Sequence, residues 1–206
     1  MLERFRQFWA KVFNPIADGL IKLGVSPDAV TVVGTLGVVA GSLVFFPRGQ
    51  LLVGVIVITL FVFSDLVDGS MARKLGTSSK WGAFLDSTLD RVGDAAIFAG
   101  LTIWLFQGGD DRVLAYVALW CLVTGSLTSY VRAKAESLGM QAKGGIAERS
   151  DRLVAVLVMA GLSDLLNVSF LLTLVLWALA VASTVTVFQR MVLVRRQVLA
   201  DPGVPS

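Results

Sequence analysis

Five aspartates interrupt two neighbouring apolar segments, and they are the residues best suited to chemistry. Asp65 and Asp68 lie three residues apart, while Asp86, Asp90 and Asp94 follow at intervals of four, so each set shares one face of a helix. An ionised aspartate at the centre of a bilayer-spanning helix costs about 2.5–3.5 kcal/mol on insertion scales. These carboxylates must therefore face one another, water or a cation rather than lipid.

Four of these carboxylates come to a similar depth if the two segments form an antiparallel hairpin. Negative charges packed within a few ångströms repel strongly at low dielectric. Hard divalent cations relieve that repulsion, and an all-carboxylate set suits Mg²⁺ or Mn²⁺. We therefore expect a metal site formed by Asp65, Asp68, Asp86 and Asp90.

A purely structural role is the alternative for any single aspartate. It would be a helix cap or an ion-pair partner of Arg73 or Arg91, although this does not explain the set as a whole. Asp94 is treated separately, because it either pairs with Arg91 or extends the polar face. No site role is assigned to it from sequence.

Small residues accompany the acids. Gly69 follows Asp68 directly, Ala72 lies one turn later, and Gly82 precedes Asp86 by four residues. Glycine inside a helix costs roughly 1 kcal/mol relative to alanine, so we expect it where a ligand or another backbone comes close. Packing of small residues between helices is the alternative, and it is stronger for Gly82 than for Gly69.

The composition limits the chemistry and places the chain in a membrane. There is no histidine and one cysteine, Cys121, which excludes His-dependent catalysis, His-ligated metals and an intrachain disulfide. The 206 residues are 55% hydrophobic and 16% charged, with a mean hydropathy of +0.77. Too few charges remain to cover a soluble surface, so the excess apolar surface must face lipid.

The apolar segments predict an all-α integral membrane protein with six transmembrane helices. The predicted spans are Val30–Phe46, Leu51–Ala72, Gly82–Phe106, Val113–Ala133, Leu153–Leu162 with extension at one or both ends, and Val168–Phe188. Before them, apolar residues between Phe5 and Ile16 recur at helical spacing among basic ones. This pattern indicates an interfacial amphipathic helix or a helix packed on the rest of the protein.

The chain is interpreted as one membrane domain, residues 1–206. It divides into an interfacial helix region (1–24), a six-helix bundle (26–190) and a cytoplasmic tail (191–206). Every Lys and Arg except Arg48 and Arg112 falls on one side of the six predicted spans. By the positive-inside rule, both termini and the acidic site are cytoplasmic, in the inner (cell) membrane.

The acidic segment resembles the CDP-alcohol phosphotransferase family. Its eight fixed positions match the family pattern D-x2-D-G-x2-A-R-x8-G-x3-D-x3-D in full: Asp65, Asp68, Gly69, Ala72, Arg73, Gly82, Asp86 and Asp90. The resemblance implies an integral-membrane homodimer that transfers a substituted phosphate from a CDP-linked donor to an alcohol and releases CMP. It implies no nucleic-acid partner.

The resemblance also implies roles for individual residues. Asp65, Asp68 and Asp86 would ligate a pair of divalent metal ions, Mg²⁺ or Mn²⁺, and Asp90 would complete the site and act as general base for the acceptor hydroxyl. The CDP moiety would be received by Gly69, Ala72 and Arg73, with Asp28 and Thr31 as weaker candidates for cytidine contacts.

Basic residues in the fourth connection suggest an acceptor that carries a phosphate. Arg132, Lys134, Arg149 and Arg152, joined by Arg195, would form a cationic cluster near the acids. Arginine offers forked donors to phosphate oxygens. The alternative is a topology signal that also touches anionic lipid headgroups.

Further stretches favour one acceptor. Residues 14–18, 24–31 and 145–152 resemble those of actinobacterial family members that join CDP-diacylglycerol to inositol 1-phosphate. This resemblance implies that the acceptor phosphate is held by Arg132, Lys134, Arg152 and Arg195. Glycerol 3-phosphate is the alternative acceptor.

Two other classes of function remain as alternatives. Intramembrane acids also mark ion pathways, so a membrane cation transporter is possible on the acids alone. The crowding of the acids toward one side and the absence of a broken-helix repeat count against it. A non-catalytic lipid-binding scaffold would leave the eight matched positions unexplained.

Overall fold

The computed structural model describes residues 13–77 and 79–200, and every regular element within them is helical. A first helix, α1, is described over residues 13–22. It is followed by α2 (Pro27–Phe45), a short 3-10 helix (Phe46–Arg48), α3 (Leu51–Val62), α4 (Ser64–Leu75), α5 (Lys80–Gln107), α6 (Arg112–Ser137), α7 (Arg149–Leu166) and α8 (Phe170–Ala200).

Helix capping fixes where the site-bearing helices begin. The Ser26 hydroxyl accepts from the backbone N–H of Ala29 at 3.2 Å, and Pro27 occupies the first turn of α2. Ser79 caps α5 in the same way by accepting from Gly82 N–H at 3.0 Å. Both caps stand at the end of the bundle that carries the aspartates.

Six helices pack in a closed ring. Around it the order is α2, α5, α6, α8, α7 and α3, and α3 returns to α2. Large buried side chains fill the ring, among them Phe46, Ile58, Leu101 and Leu176. Within the described residues, α4 extends from α3 and packs against α2.

The second predicted span, Leu51–Ala72, is two helices rather than one. Only Phe63 separates α3 from α4, at ψ −13°. Neither proline nor glycine stands at the break. A Cβ on Gly34 of α2 would collide with the side chain of Ser64, so α2 lies directly against the first residue of α4. The break divides an apolar segment from a polar one that carries Asp65 and Asp68.

Within residues 13–77 and 79–200, four helical segments are long and apolar enough to cross a membrane: Pro27–Arg48, Leu51–Leu75, Arg112–Ser137 and Phe170–Ala200. The six predicted spans are thus matched only in part. The other two predicted spans are helices, but α5 carries charges through its first half and α7 has only 18 residues with charges at both ends.

α8 is longer than its predicted span. It continues to Ala200 through the segment assigned to a tail, because residues 189–200 contain no glycine or proline to stop a helix. The end of that predicted tail, residues 201–206, lies outside the described residues.

α1 docks on α4 through apolar and polar contacts. Ala17 is buried with Val67 and Met71. Ser70 donates to the Asn14 side chain at 2.8 Å, and Lys74 pairs with Asp18 at 2.6 Å. This part of α1 packs on the rest of the protein, while the predicted amphipathic pattern over residues 5–12 lies outside the described residues.

Candidate functional site

Three aspartates from α4 and α5 converge. Asp65, Asp86 and Asp90 each place a carboxylate oxygen within 4.8 Å of the other two. Asp65 lies in the first turn of α4, and Asp86 and Asp90 are one turn apart on α5. The hairpin geometry expected from the sequence brings these three acids together.

The fourth predicted ligand, Asp68, lines the same cavity but is bound differently. Its side chain is buried, with 8% of the residue exposed, and its Oδ2 accepts a 2.5 Å hydrogen bond from the Thr31 hydroxyl. Asp68 is outside the group of three mutually close carboxylates. Thr31 therefore links α2 to the acidic face of α4.

The carboxylates face a cavity of about 1080 Å³. It opens between the start of α2, α4 and the start of α5, and residues of α1 and the α1–α2 connection contribute to its wall. Of the predicted donor-binding residues, four line it: Gly69, Ala72, Asp28 and Thr31. Arg73 is exposed and is not among the lining residues.

The two glycines beside the acids are not there for helix packing. A Cβ on Gly69 would meet only the Arg73 Nη1 atom, at 3.5 Å, and a Cβ on Gly82 would meet Ser79 Oγ at 3.5 Å and Asp28 Oδ1 at 4.0 Å. Both glycines line the cavity. By contrast, a Cβ on Gly100 would lie 2.5 Å from the Ser42 carbonyl, where α5 crosses α2.

A tryptophan side chain links two sides of the cavity mouth. Trp81 donates its indole N–H to Asp28 Oδ2 at 3.0 Å, which connects the first turn of α5 to the first turn of α2. Trp81 also lies beside Phe84, with ring centroids 5.9 Å apart. Asp28 thus has a partner on the opposite side of the cavity mouth.

Arg149, the first residue of α7, enters the acidic cavity from the opposite side. Its Nη2 lies 2.9 Å from Asp90 Oδ1 and 3.0 Å from Asp94 Oδ1. Its Nε donates to both oxygens of Asp94 at 3.1 Å. Asp94 therefore pairs chiefly with Arg149, and its contact with Arg91, the partner named from the sequence, is longer, at 3.9 Å.

The predicted acceptor-binding residues are more dispersed. Arg152 is 3% exposed and donates to Thr128 Oγ1 and to the carbonyls of Ala147 and Gly125. Its guanidinium is thus occupied by the protein itself. Arg132 is exposed and pairs with Glu136 at 3.0 Å, and Lys134 and Arg195 are exposed as well. None of these four lines the acidic cavity, and their contact with an acceptor stays a prediction.

Sequence reasoning passed over a second buried arginine, Arg190. It is 6% exposed and donates to the carbonyls of Gly144 and Thr128. It also lines a separate cavity of about 770 Å³ between residues 143–146 and α8. An arginine inside a long apolar segment was the available signal, because such a residue rarely faces lipid.

The donor set fits a hard divalent cation. Three carboxylate oxygens converge without a lysine among them, and Cys121 is buried elsewhere, in the middle of α6. Carboxylate and water oxygens are the ligands that Mg²⁺ and Mn²⁺ prefer. Arg149 offsets only part of the negative charge of Asp65, Asp86 and Asp90.

Comparisons with known proteins agree with the acidic pattern. The family model described as CDP-alcohol phosphatidyltransferase matches residues 24–186. The phosphatidylinositol phosphate synthase of Streptomyces avermitilis is 53% identical over 204 residues, covering 96% of this chain and 84% of that protein. The synthase of Cutibacterium acnes is 51% identical, covering 95% and 98%.

Solved structures give the same result. The crystal structure of phosphatidylinositol phosphate synthase of Mycobacterium tuberculosis with CDP-DAG bound has a TM-score of 0.88 at 43% identity, covering 94% of this chain and 96% of that one. The structure of the same enzyme in complex with manganese and citrate has a TM-score of 0.85 at 44% identity, covering 92% and 90%. The resemblance inferred from the eight fixed positions is confirmed.

Proposed function

The chain belongs to the CDP-alcohol phosphatidyltransferase family, and we propose that it transfers the phosphatidyl group of CDP-diacylglycerol to inositol 1-phosphate. The products are phosphatidylinositol phosphate and CMP. One observation carries the proposal: the aspartates of the family pattern converge on a cavity with glycines at its wall. The names of relatives that are 53% and 51% identical over nearly the whole chain support the acceptor.

The carboxylates are proposed to hold two divalent ions, Mg²⁺ or Mn²⁺. Asp65, Asp86 and Asp90 supply the oxygens that already lie within 4.8 Å of one another, and Asp68 lines the same cavity. When bound, such ions neutralise the diphosphate and the charge that develops on departing CMP. The manganese complex of the Mycobacterium tuberculosis relative supports a divalent metal ion as cofactor.

Asp90 is proposed as the general base. The acceptor hydroxyl oxygen attacks the phosphorus that carries diacylglycerol, the bond from that phosphorus to the bridging oxygen of CMP breaks, and the hydroxyl proton passes to Asp90. An unperturbed carboxylate is a weak base toward an alcohol, so alignment of the hydroxyl must supply much of the rate. No covalent enzyme intermediate is required.

The donor is proposed to bind along the wall formed by α2 and α4. Gly69 and Ala72 present a shallow surface to the cavity, and Asp28 and Thr31 offer polar atoms at its edge. Arg73, one turn beyond Gly69, is in reach of a phosphate that occupies the space beside that glycine. The acyl chains remain in the bilayer.

The acceptor phosphate is proposed to be held by Arg132, Lys134, Arg152 and Arg195, with Arg149 at the cavity itself. Arg149 lines the cavity and already contacts Asp90, so an acceptor that reaches Asp90 must pass beside it. The exposed members can reorient toward a phosphate, Arg132 by giving up its contact with Glu136. Arg152 is instead fixed by three hydrogen-bond acceptors.

In the membrane, all six ring helices are proposed to span the bilayer. The helices α5 and α7 would bury their charges inside the ring, facing the cavity and the arginines. The excess of Lys and Arg at one end supports cytoplasmic termini and an active site open to the cytoplasm of the cell (inner) membrane. A homodimer is proposed by analogy with the family.

A direct assay of acceptor choice tests this function. The full chain, purified in detergent with Mg²⁺ or Mn²⁺, is given CDP-diacylglycerol and either inositol 1-phosphate, glycerol 3-phosphate or free inositol. We expect CMP and a phosphorylated lipid with inositol 1-phosphate and little product with the other two. Faster turnover of glycerol 3-phosphate would overturn the acceptor, and no CMP with any acceptor would overturn the activity.

A further inference from the structure

We propose that Asp94 is a positioning residue that holds Asp90 in its working geometry through Arg149. This inference rests on the proposed role of Asp90 in the transfer reaction. Asp94 itself lies outside the family pattern and is not among the residues that line the large acidic cavity. Its contacts are with arginines, and Arg149 connects it to Asp90.

The hydrogen bonds of Arg149 divide unequally between the two carboxylates. Nε donates to both Asp94 oxygens at 3.1 Å, and Nη2 lies 3.0 Å from Asp94 Oδ1. Asp90 is contacted by one Arg149 atom, Nη2, which lies 2.9 Å from Asp90 Oδ1. One edge of the guanidinium is therefore occupied by Asp94, and a single nitrogen reaches Asp90.

The backbone on both sides of this bridge is fixed. Asp90 and Asp94 are one turn apart on α5, and Arg149 is the first residue of α7. A capping box fixes that end of α7. The Glu148 side chain accepts the backbone N–H of Asp151, and the Asp151 side chain accepts the backbone N–H of Glu148. The hydrogen bonds of the guanidinium are therefore divided between two carboxylates whose positions are set by the helices.

Removing the Asp94 charge changes how the hydrogen bonds of Arg149 are divided between the two side chains. Arginine prefers to bind a carboxylate through two parallel N–H groups. Without its partner, Arg149 would turn that pair of donors onto Asp90 and engage both of its oxygens. Asp90 would then be withdrawn from the divalent ion and from the acceptor hydroxyl, although it is still present.

A positioning role differs in its consequences from a purely structural role in tying α7 to α5. Arg91 contacts both acids weakly, at 3.5 Å to Asp90 and 3.9 Å to Asp94, so it does not replace Arg149. A structural role would lower stability and leave the kinetics of the folded fraction unchanged. A positioning role lowers kcat, spares the KM for CDP-diacylglycerol, and disappears when Arg149 is removed.

The test is a double-mutant cycle on the full chain with Asp94→Asn, Arg149→Gln and the double variant. We expect Asp94→Asn to lower kcat roughly 10- to 100-fold, the scale of a displaced catalytic group, with the KM for CDP-diacylglycerol within about twofold of wild type on that same argument. The double variant should be no slower than Arg149→Gln alone. Losses that multiply in the double variant would overturn the proposal.

Two further measurements keep the test decisive. Mn²⁺ titration of the substrate-free protein, followed by electron paramagnetic resonance, should show weaker binding for Asp94→Asn, and the double variant should bind as Arg149→Gln does. Arg149→Lys keeps the charge without the fork, so it should lose kcat to a similar degree even where Asp94→Asn does not fold. Wild-type kcat in Arg149→Lys would contradict the bridge. Absence of CMP from the wild type would instead count against the proposed function.

Discussion

The acids of α4 and α5 and the buried arginines of α7 and α8 are two charged regions of this helical protein that have opposite surroundings. Arg152 and Arg190 donate their hydrogen bonds to backbone carbonyls and a threonine hydroxyl. Asp65, Asp86 and Asp90 face an open cavity with their oxygens crowded together. Burying a charge is costly unless it is paired and hydrogen-bonded. The two arginines are satisfied by the protein itself, whereas the three acids stay open to the cavity and are only partly offset by Arg149.

This contrast separates two kinds of charged residue that look alike in sequence. A buried charge that the protein satisfies internally indicates structure, and a set of like charges that faces an open cavity indicates chemistry. Arg149 belongs to both regions, because it starts α7 and yet ends its side chain on Asp90. Substitutions on either side should therefore differ in whether they affect turnover, binding or stability.

The largest effect is expected from Asp90→Asn. Loss of the general base should lower kcat by roughly 10²- to 10⁴-fold while donor binding is largely kept. CMP release and CDP-diacylglycerol binding are measured in parallel. The matched control is Asp110→Asn, which makes the same change at an exposed position in the α5–α6 connection, where φ is +45° and asparagine is well tolerated. Near-normal CMP release by Asp90→Asn would remove Asp90 from the role of base.

A smaller effect on activity is expected from Arg152→Ala. This variant tests directly whether a buried arginine serves structure, acceptor binding or both. If Arg152 also reaches the acceptor phosphate, its loss should raise the KM for inositol 1-phosphate about tenfold, the worth of one charge-assisted hydrogen bond. The KM for CDP-diacylglycerol should stay unchanged. The protein should also melt at a lower temperature, because Thr128, Ala147 and Gly125 lose a partner.

Arg112→Ala provides the comparison for that variant. Arg112 is exposed at the start of α6, at the opposite end of the ring from the acids, so its loss should change neither melting nor KM. An unchanged acceptor KM in Arg152→Ala, together with the lower melting temperature, would assign Arg152 to structure alone.

The smallest effect is expected from Gly69→Ala. The added methyl group meets only Arg73 Nη1 at ordinary contact distance, so it should stabilise α4 by about 0.5–1 kcal/mol. It also enters the cavity, and the KM for CDP-diacylglycerol should rise a few-fold, less than the roughly 10- to 200-fold that one methylene can control in a closely fitting pocket. Kinetics and thermal denaturation are measured on the same preparation.

The control for Gly69→Ala is Gly100→Ala. Its methyl group would lie 2.5 Å from the Ser42 carbonyl and should destabilise the crossing of α2 and α5. A donor KM that stays at the wild-type value in Gly69→Ala would argue against donor contact at this glycine.

The carboxylate cluster was predictable because its information is local. Intervals of three and four place Asp65 and Asp68, and then Asp86 and Asp90, on single helix faces, and a short connection brings those faces together. The start of α2 was predictable for the same reason, since Ser26 and Pro27 carry a capping pattern that the structure follows. The family match extended this reading to most of the chain.

The arginine network was not predictable from such patterns. The contacts of Arg149 with Asp94, and of Arg190 with Gly144, join residues 55 and 46 positions apart, and no periodicity encodes them. The break at Phe63 was missed because nothing in its own sequence interrupts a helix. Close approach of Gly34 to Ser64, a tertiary contact, coincides with it.

The docking of α1 on α4 has a practical consequence for anyone who shortens or tags this enzyme. Asn14 and Asp18 are tied to Ser70 and Lys74, on the same short helix that carries Asp68. A truncation that removes residue 18 and everything before it would expose Met71 and Val67 to solvent. It would also leave α4, which forms one wall of the acidic cavity, without the contacts that hold it against α1. Affinity handles and fluorescent fusions should therefore be joined ahead of Phe13, leaving the segment from there onward intact.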